Sequence, residues 1–275
     1  TSAEDWPAVY ETPEYEFNEH IYDNIVYNGF GKAKPETEIV YGPSIKDWPK
    51  MPALTENLLL QVASVIRDEV TTTDELIPSG ETASYRSNPY KISEFTLIRK
   101  DPQYVGRAKA AQEFEKARVA GDKEKAGTFY QVLKAVGVDT PVEELMKTTG
   151  IGSVLYAKRP GDGSAREYAA SCQKVLGGLA NICIEYVTKR YRSNCVNWGI
   201  LPFTCPEKEI VLEPGEYLYL PGIRKAVEDG ATRFTAKVIG KDGAVRDLEL
   251  ELNGVTEAEK KVLLAGSLIN SYKEA

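Results

Sequence analysis

Two strand-to-helix units in direct succession constrain this chain more than any other feature of its sequence. An apolar run at residues 153–157 leads through the glycine loop Pro160-Gly161-Asp162-Gly163 into a helix beginning near Ser164. A second apolar run at residues 179–184 leads into a helix that ends at Trp198-Gly199 and meets Pro202. Two such units in a row imply at least a partly parallel sheet, since parallel strands need a crossover and a helix is the usual one. The expected fold is therefore α/β, a mixed sheet flanked by helices.

The flanking sequence fills in the remaining elements. Leu58, Leu60 and Val62 alternate as a strand would, and the run stops at the Thr-rich turn Thr71-Thr72-Thr73-Asp74 and the breaker Pro78-Ser79-Gly80. Asp101-Pro102 opens a helix with Val105, Ala108, Ala111 and Phe114 on one face, ending at Gly121. A second helix carries Phe129, Val132, Leu133 and Val136 and stops at Gly137, and Thr140 with Glu143 reads as a capping box for a short third. Phe234, Ala236 and Val238 alternate before Lys241-Asp242-Gly243, and Leu248, Leu250 and Leu252 after it, which predicts a hairpin. Thr256 with Glu259 then caps a final helix containing Val262, Leu263, Leu268 and Ile269. Residues 1–50 mix Tyr, Glu, Asp, Pro and Asn without periodicity and read as a linker or wrapping arm, leaving 51–275 as the domain of a fragment cut from a longer chain.

Composition excludes several classes of function. With 34 basic against 41 acidic residues, the chain lacks the positive surface that a phosphate backbone requires, so no nucleic-acid partner is expected. No stretch has the apolar length needed to span a bilayer, and the acidic, tyrosine-rich opening is unlike a signal peptide, so no membrane partner and a cytoplasmic location are expected. Cys172, Cys183, Cys195 and Cys205 form no C-x-x-C pair and His20 is the single histidine, which is too poor a set for a local zinc or iron–sulfur site. The thiols are expected to be free, and acid–base chemistry must fall to carboxylates, hydroxyls, lysines or tyrosines.

The loop Gly161-Asp162-Gly163-Ser164 places a hydroxyl, and Arg166 a guanidinium, at the start of a helix. Unpaired N–H groups and the positive end of the helix dipole favour an anion there. Ser164 with Glu167 is equally a capping box, and capping alone accounts for both residues.

Residues 161–170, GDGSAREYAA, closely resemble the G-x-G-S-S-R-E motif of the swivel domain in the aconitase and isopropylmalate isomerase superfamily. Three further matches fall in the correct order. Residues 72–80, TTDELIPSG, are similar to that domain's T-T-D-H-I-x-P-A-G signature; Arg86, followed by Lys91-Ile92-Ser93, stands where the family has a substrate-binding arginine; and residues 191–202, YRSNCVNWGILP, resemble its R-S-N-x-x-x-x-G-I-L-P element. The resemblance covers roughly residues 38–205 by motif. It implies a swivelling β/β/α domain that closes over a [4Fe-4S] cluster held by N-terminal domains absent from this sequence, and stereospecific dehydration and rehydration of a hydroxy-polycarboxylic acid. Carried over by position, Ser164 matches the serine base, Arg166 and Arg86 match arginines at the substrate carboxylates, and Asp74 matches an aspartate of the surrounding shell. No metal ligand is assigned to this chain, and the isolated fragment is expected to be inactive. Ala165 and Glu75 depart from the family's second serine and histidine, which leaves the hydroxy acid open. Two other readings stand beside the lyase: an anion-binding module, and a small-subunit-like protein closing another chain's site, the latter disfavoured by the arm before residue 50.

Overall fold

The strand β1 (Asn57–Ile66) carries apolar side chains on both faces, and its neighbours must therefore cover it on both sides. Leu58, Leu60 and Val62 point one way and Leu59 and Ala63 the other, all of them buried. In the computed structural model, which describes residues 12–23, 29–78, 80–164, 166–206 and 211–273, β1 is the centre of a sheet that closes on itself. The described residues fall into two compact units divided between Tyr41 and Gly42. In the first, a 3-10 turn (Glu19–Tyr22) is capped by Asn18, whose side chain accepts from the His20 N–H at 3.0 Å. Part of the sequence read as an arm, along with Ser79 and Ala165, lies outside the described residues.

In the second unit β1 is followed by β2 (Thr71–Thr72), α1 (Thr73–Leu76), α2 (Pro89–Ser93), α3 (Tyr104–Ala120), α4 (Lys123–Tyr130) and α5 (Val142–Thr148). Then come β3 (Thr149–Ala157), β4 (Pro160–Asp162), α6 (Arg166–Val175), β5 (Gly178–Cys183), α7 (Lys189–Asn197) and β6 (Leu201–Thr204). The chain finishes with β7 (Tyr217–Leu220), α8 (Ile223–Glu228), β8 (Arg233–Ile239), β9 (Val245–Glu251), α9 (Glu257–Ala265) and α10 (Leu268–Lys273). Strands β1, β3, β5 and β6 run parallel, as the two strand-to-helix units require, and β7, β8 and β9 complete the sheet through antiparallel pairs.

The expected mixed sheet flanked by helices is present, but it is a closed seven-stranded barrel in the order β1-β3-β5-β6-β9-β8-β7. Its seam between β6 and β9 rests on the pair Thr204–Glu251. The inward residues of every strand, among them Leu60, Val154, Ile182, Phe203, Leu218, Ala236 and Leu250, make one core. Each large aliphatic side chain buried there contributes roughly 1.5–3 kcal/mol. Outside the barrel, α3 and α4 cover Leu59 and Ile151, while α1, α2, α6 and α7 cover Ala63 and Leu155.

Several local expectations change. Thr71 and Thr72 form a strand rather than a turn, pairing in parallel with residues 160–162, which are themselves a strand rather than a loop. Thr72 then caps α1 through a complete capping box with Glu75. Thr140 and Glu143 make no such box, because Pro141 occupies the cap position of α5 in an extended conformation. The second helix tightens into a 3-10 turn (Gln131–Val136) before its glycine stop, and the last helix breaks at Gly266 into α9 and α10.

The backbone approaches itself most closely where three segments meet. A methyl group at Gly199 would stand 2.0 Å from the Gly266 carbonyl oxygen, and one at Gly266 would stand 2.0 Å from the Pro52 carbonyl oxygen. Both glycines have positive φ, +61° and +84°, so neither the space nor the backbone admits a side chain. Beside this clasp Trp48 packs on Trp198 with ring centroids 4.4 Å apart, and Asn270 donates to the Met51 carbonyl at 2.8 Å.

Candidate active site

The site is built where parallel strands β1 and β3 reach their carboxyl ends, the usual position for ligands in such sheets. Beyond those ends the chain continues into β2 and β4, whose pairing sets Thr71 against Pro160 and Thr72 against Asp162. Two glycines hold this loop in place. Gly161 (φ +100°) lies flat on Tyr191, where an added Cβ would be 2.6 Å from the tyrosine Cβ, and its carbonyl accepts from Thr188 Oγ1 at 3.1 Å. Gly163 (φ +129°) lies against Thr73, whose Oγ1 would be 2.2 Å from a Cβ there. Asp74 and Ser164 are each one residue past that contact. Two motifs separated by about ninety positions are thus brought side by side by backbone pairing alone.

Ser164 is exposed, and among the described residues no hydrogen bond fixes its hydroxyl. Glu167 does not close the box that the spacing allowed, since its carboxylate accepts from Trp198 Nε1 at 3.0 Å. Arg166, the first residue of α6, is half-buried, and its Nε is buried with no partner among the described residues. Arg86 follows the 3-10 turn Ala83–Tyr85 and places its guanidinium carbon 5.6 Å from the centroid of the Tyr168 ring. Both arginines therefore stand at the first turn of α6, the end at which backbone N–H groups point outward.

Asp74 is held by a residue the sequence reading did not single out. Arg99 donates to its Oδ2 from Nη1 at 2.6 Å and also binds Glu81. Nothing in the local sequence marks Arg99, which sits in a turn region twenty-five residues downstream of Asp74. Glu75 is spent on the Thr72 cap and on Lys100, whose Nζ lies 2.9 Å from its Oε1. Burial alone would raise its carboxyl, but the hydrogen bonds from Lys100 and Thr72 outweigh that and hold it below the usual carboxylate value. Arg192 of the fourth motif turns away and ties α7 to α9 through Glu259 (3.2 Å) and the Asn253 carbonyl (3.0 Å). Tyr191 is buried, with its hydroxyl within 2.9 Å of Gln173 and 3.1 Å of Asn181.

All four cysteines are buried thiols outside any disulfide, and burial raises the thiols of Cys172, Cys183 and Cys195. Among the described residues no group of three His, Cys, Asp or Glu side chains is placed to hold a metal ion. The donors at the site are a hydroxyl and guanidiniums, which suit carboxylates rather than iron. Among the described residues no helix is long and apolar enough to cross a membrane.

Part of this chain is similar to the small-subunit-type domain of the aconitase and isopropylmalate isomerase superfamily. A curated homoaconitase small subunit from Thermus thermophilus is 35% identical over 95 residues, which are 34% of this chain and 58% of that protein. The chain thus spans less than two thirds of that relative's length. A crystal structure of a 3-isopropylmalate dehydratase from Methanocaldococcus jannaschii aligns at a TM-score of 0.46 and 18% identity, covering 79% of this chain and 94% of that one. No family model matches the chain.

Proposed function

We propose that this chain is the swivel domain of an aconitase-type hydro-lyase, with Ser164 as the base and Arg86 and Arg166 gripping the carboxylates of a hydroxy-polycarboxylic acid. The observation that carries the reading is the convergence at the start of α6. A hydroxyl unengaged among the described residues, a guanidinium whose buried Nε has no partner among them, and a second guanidinium over Tyr168 stand at one helix terminus. A serine hydroxyl is a poor base in water. Outward-pointing N–H groups and nearby cations favour its ionised form, and the same positive field attracts the substrate. Arginine suits this better than lysine, because its planar fork meets a carboxylate with two parallel hydrogen bonds. Asp74, oriented by Arg99, supports the loop from the other side.

The cluster in this reading is a [4Fe-4S] group carried by N-terminal domains of the same chain, and it would take the substrate hydroxyl as a Lewis acid. What this chain's residues do is bind the carboxylates, orient the C–H toward Ser164 and receive the proton. Because Glu75 is committed to Lys100 and Thr72, it offers no proton donor in place of the family's histidine, and the substrate preference should differ accordingly. The test is turnover of the enzyme reconstituted with its cluster-bearing domains, with and without Ser164→Ala. Near-normal dehydration in the variant would remove Ser164 from the role.

A second reading, a separate small subunit that closes another chain's site, is favoured by one observation: the curated relative is itself named a small subunit. The two are separated by whether the gene's reading frame runs on upstream into several hundred residues with a C-x-x-C and a third, distant cysteine.

A further inference from the structure

The far end of α6 carries a second charged group with no evident task. Lys174 stands in the last turn of that helix and is 6% exposed, and its only hydrogen bond among the described residues runs to the Gly199 carbonyl at 3.2 Å. Burial pushes its pKa down to about 8. The carboxylate nearest at hand, Glu115, is already engaged. It receives two hydrogen bonds of 2.7 Å from Arg118 and one of 2.9 Å from the Ile151 N–H. An ammonium buried without a counter-ion of its own is costly, and such groups mark binding sites more often than chance.

Lys174 lines a cleft of about 620 Å3 that opens between α3, β3, β5 and the segment leading into β1. That volume lies within the range of small-molecule sites. Its wall is largely apolar, with Met51, Val119, Ile151 and Leu179 contributing, while Lys50 stands with Lys116 among its lining residues. Lys116 pairs with the exposed Glu113, and Lys50 pairs with no carboxylate among the described residues, so the charged groups around the cleft are predominantly positive once Glu115 is neutralised by Arg118. None of Ser164, Arg86, Arg166 or Asp74 lines it.

We propose that this cleft is a binding site for a small monocarboxylate with an apolar body, its carboxylate directed at Lys174 and its hydrocarbon part against Met51, Ile151 and Leu179. Charge complementarity selects an anion over a neutral molecule, and the apolar wall selects an organic acid over an inorganic ion. The site is independent of the lyase reading, because it is read by binding and not by turnover.

The experiment titrates the whole 275-residue chain with octanoate and with octan-1-ol, which share a chain and differ in charge, following heat by calorimetry. Octanoate should bind at least about tenfold more tightly than the alcohol. In Lys174→Met, whose unbranched side chain fills the same space, the preference should vanish while the alcohol still binds. Ala120→Trp, at the rim and with Lys174 intact, should weaken both ligands, which keeps the test meaningful should the Met variant fold poorly. Equal affinity for the two ligands in the unaltered chain, or binding of neither, overturns the proposal. So does a preference that survives in Lys174→Met.

Discussion

Helices α9 and α6 begin with the same local pattern, a hydroxyl residue followed three positions later by glutamate, and they use it in opposite ways. At α9, Thr256 accepts from the Glu259 N–H and Glu259 reaches back to the Thr256 N–H, so the terminus satisfies itself. At α6, Glu167 is drawn off by Trp198, Ser164 stays unengaged among the described residues, and Arg166 brings a buried donor without a partner. The difference lies in tertiary context: Trp198, thirty-one residues away, competes for the glutamate that would have closed the box. The α9 start is closed within itself, whereas the α6 start is left open by a neighbour, as the proposed ligand site requires.

The comparison breaks first on catalysis. Ser164→Ala in the reconstituted enzyme should lower turnover by about 10²–10⁴-fold, the range for loss of an acid–base group, with little change in substrate affinity. A smaller loss, or one confined to affinity, would make α6 a binding terminus only.

The other end of α6 gives the largest effect on stability. The folded chain releases the Lys174 proton near pH 8, while the unfolded chain holds it to about 10.5. Stability from this group therefore rises with pH across that window, and Lys174→Met should abolish the rise and stabilise the protein at pH 7 by up to roughly 3 kcal/mol. Urea unfolding at pH 7, 9 and 10 measures it.

The two caps are compared directly by thermal unfolding. Thr256→Ala should cost about 1 kcal/mol, as a lost helix cap does, and Ser164→Ala close to nothing. Equal losses would erase the contrast between the helices. The smallest effect is at α1, whose box is closed like that of α9. Glu75 ionises below its ordinary value, so its contribution is present at neutral pH and lost as pH falls through the lowered folded value. Glu75→Gln should lower stability slightly at pH 8, where the contribution is present, and flatten the acid limb of the stability profile below about pH 4.5.

The sequence pattern made the two strand-to-helix units and the hairpin legible, because in each the period and the punctuation agree. Closure into a barrel was not legible. It depends on β7, four residues reading YLYL after a Pro-Gly turn, and on a seam of one residue pair, neither of which has a periodic signature. Nor was the β2–β4 pairing that assembles the site, since two- and three-residue strands carry no pattern of their own. Ser164 and Arg166 stood out at a glycine loop opening a helix, Arg86 and Asp74 only through motif resemblance, and periodicity would have found none of them. Arg99 and the Trp198–Glu167 contact escaped both routes, being contacts between segments far apart in the chain.

The clasp at Pro52, Gly199 and Gly266 has a mechanical consequence. With carbonyl oxygens standing where methyl groups would be, the lead-in segment, the exit of α7 and the end of α9 are rivetted into one stiff joint. Trp198, one residue from that joint, holds Glu167 beside Arg166. The lead-in segment at Pro52 is thus linked through the Gly266 and Gly199 backbone to Trp198 and, through its contact with Glu167, to the first turn of α6.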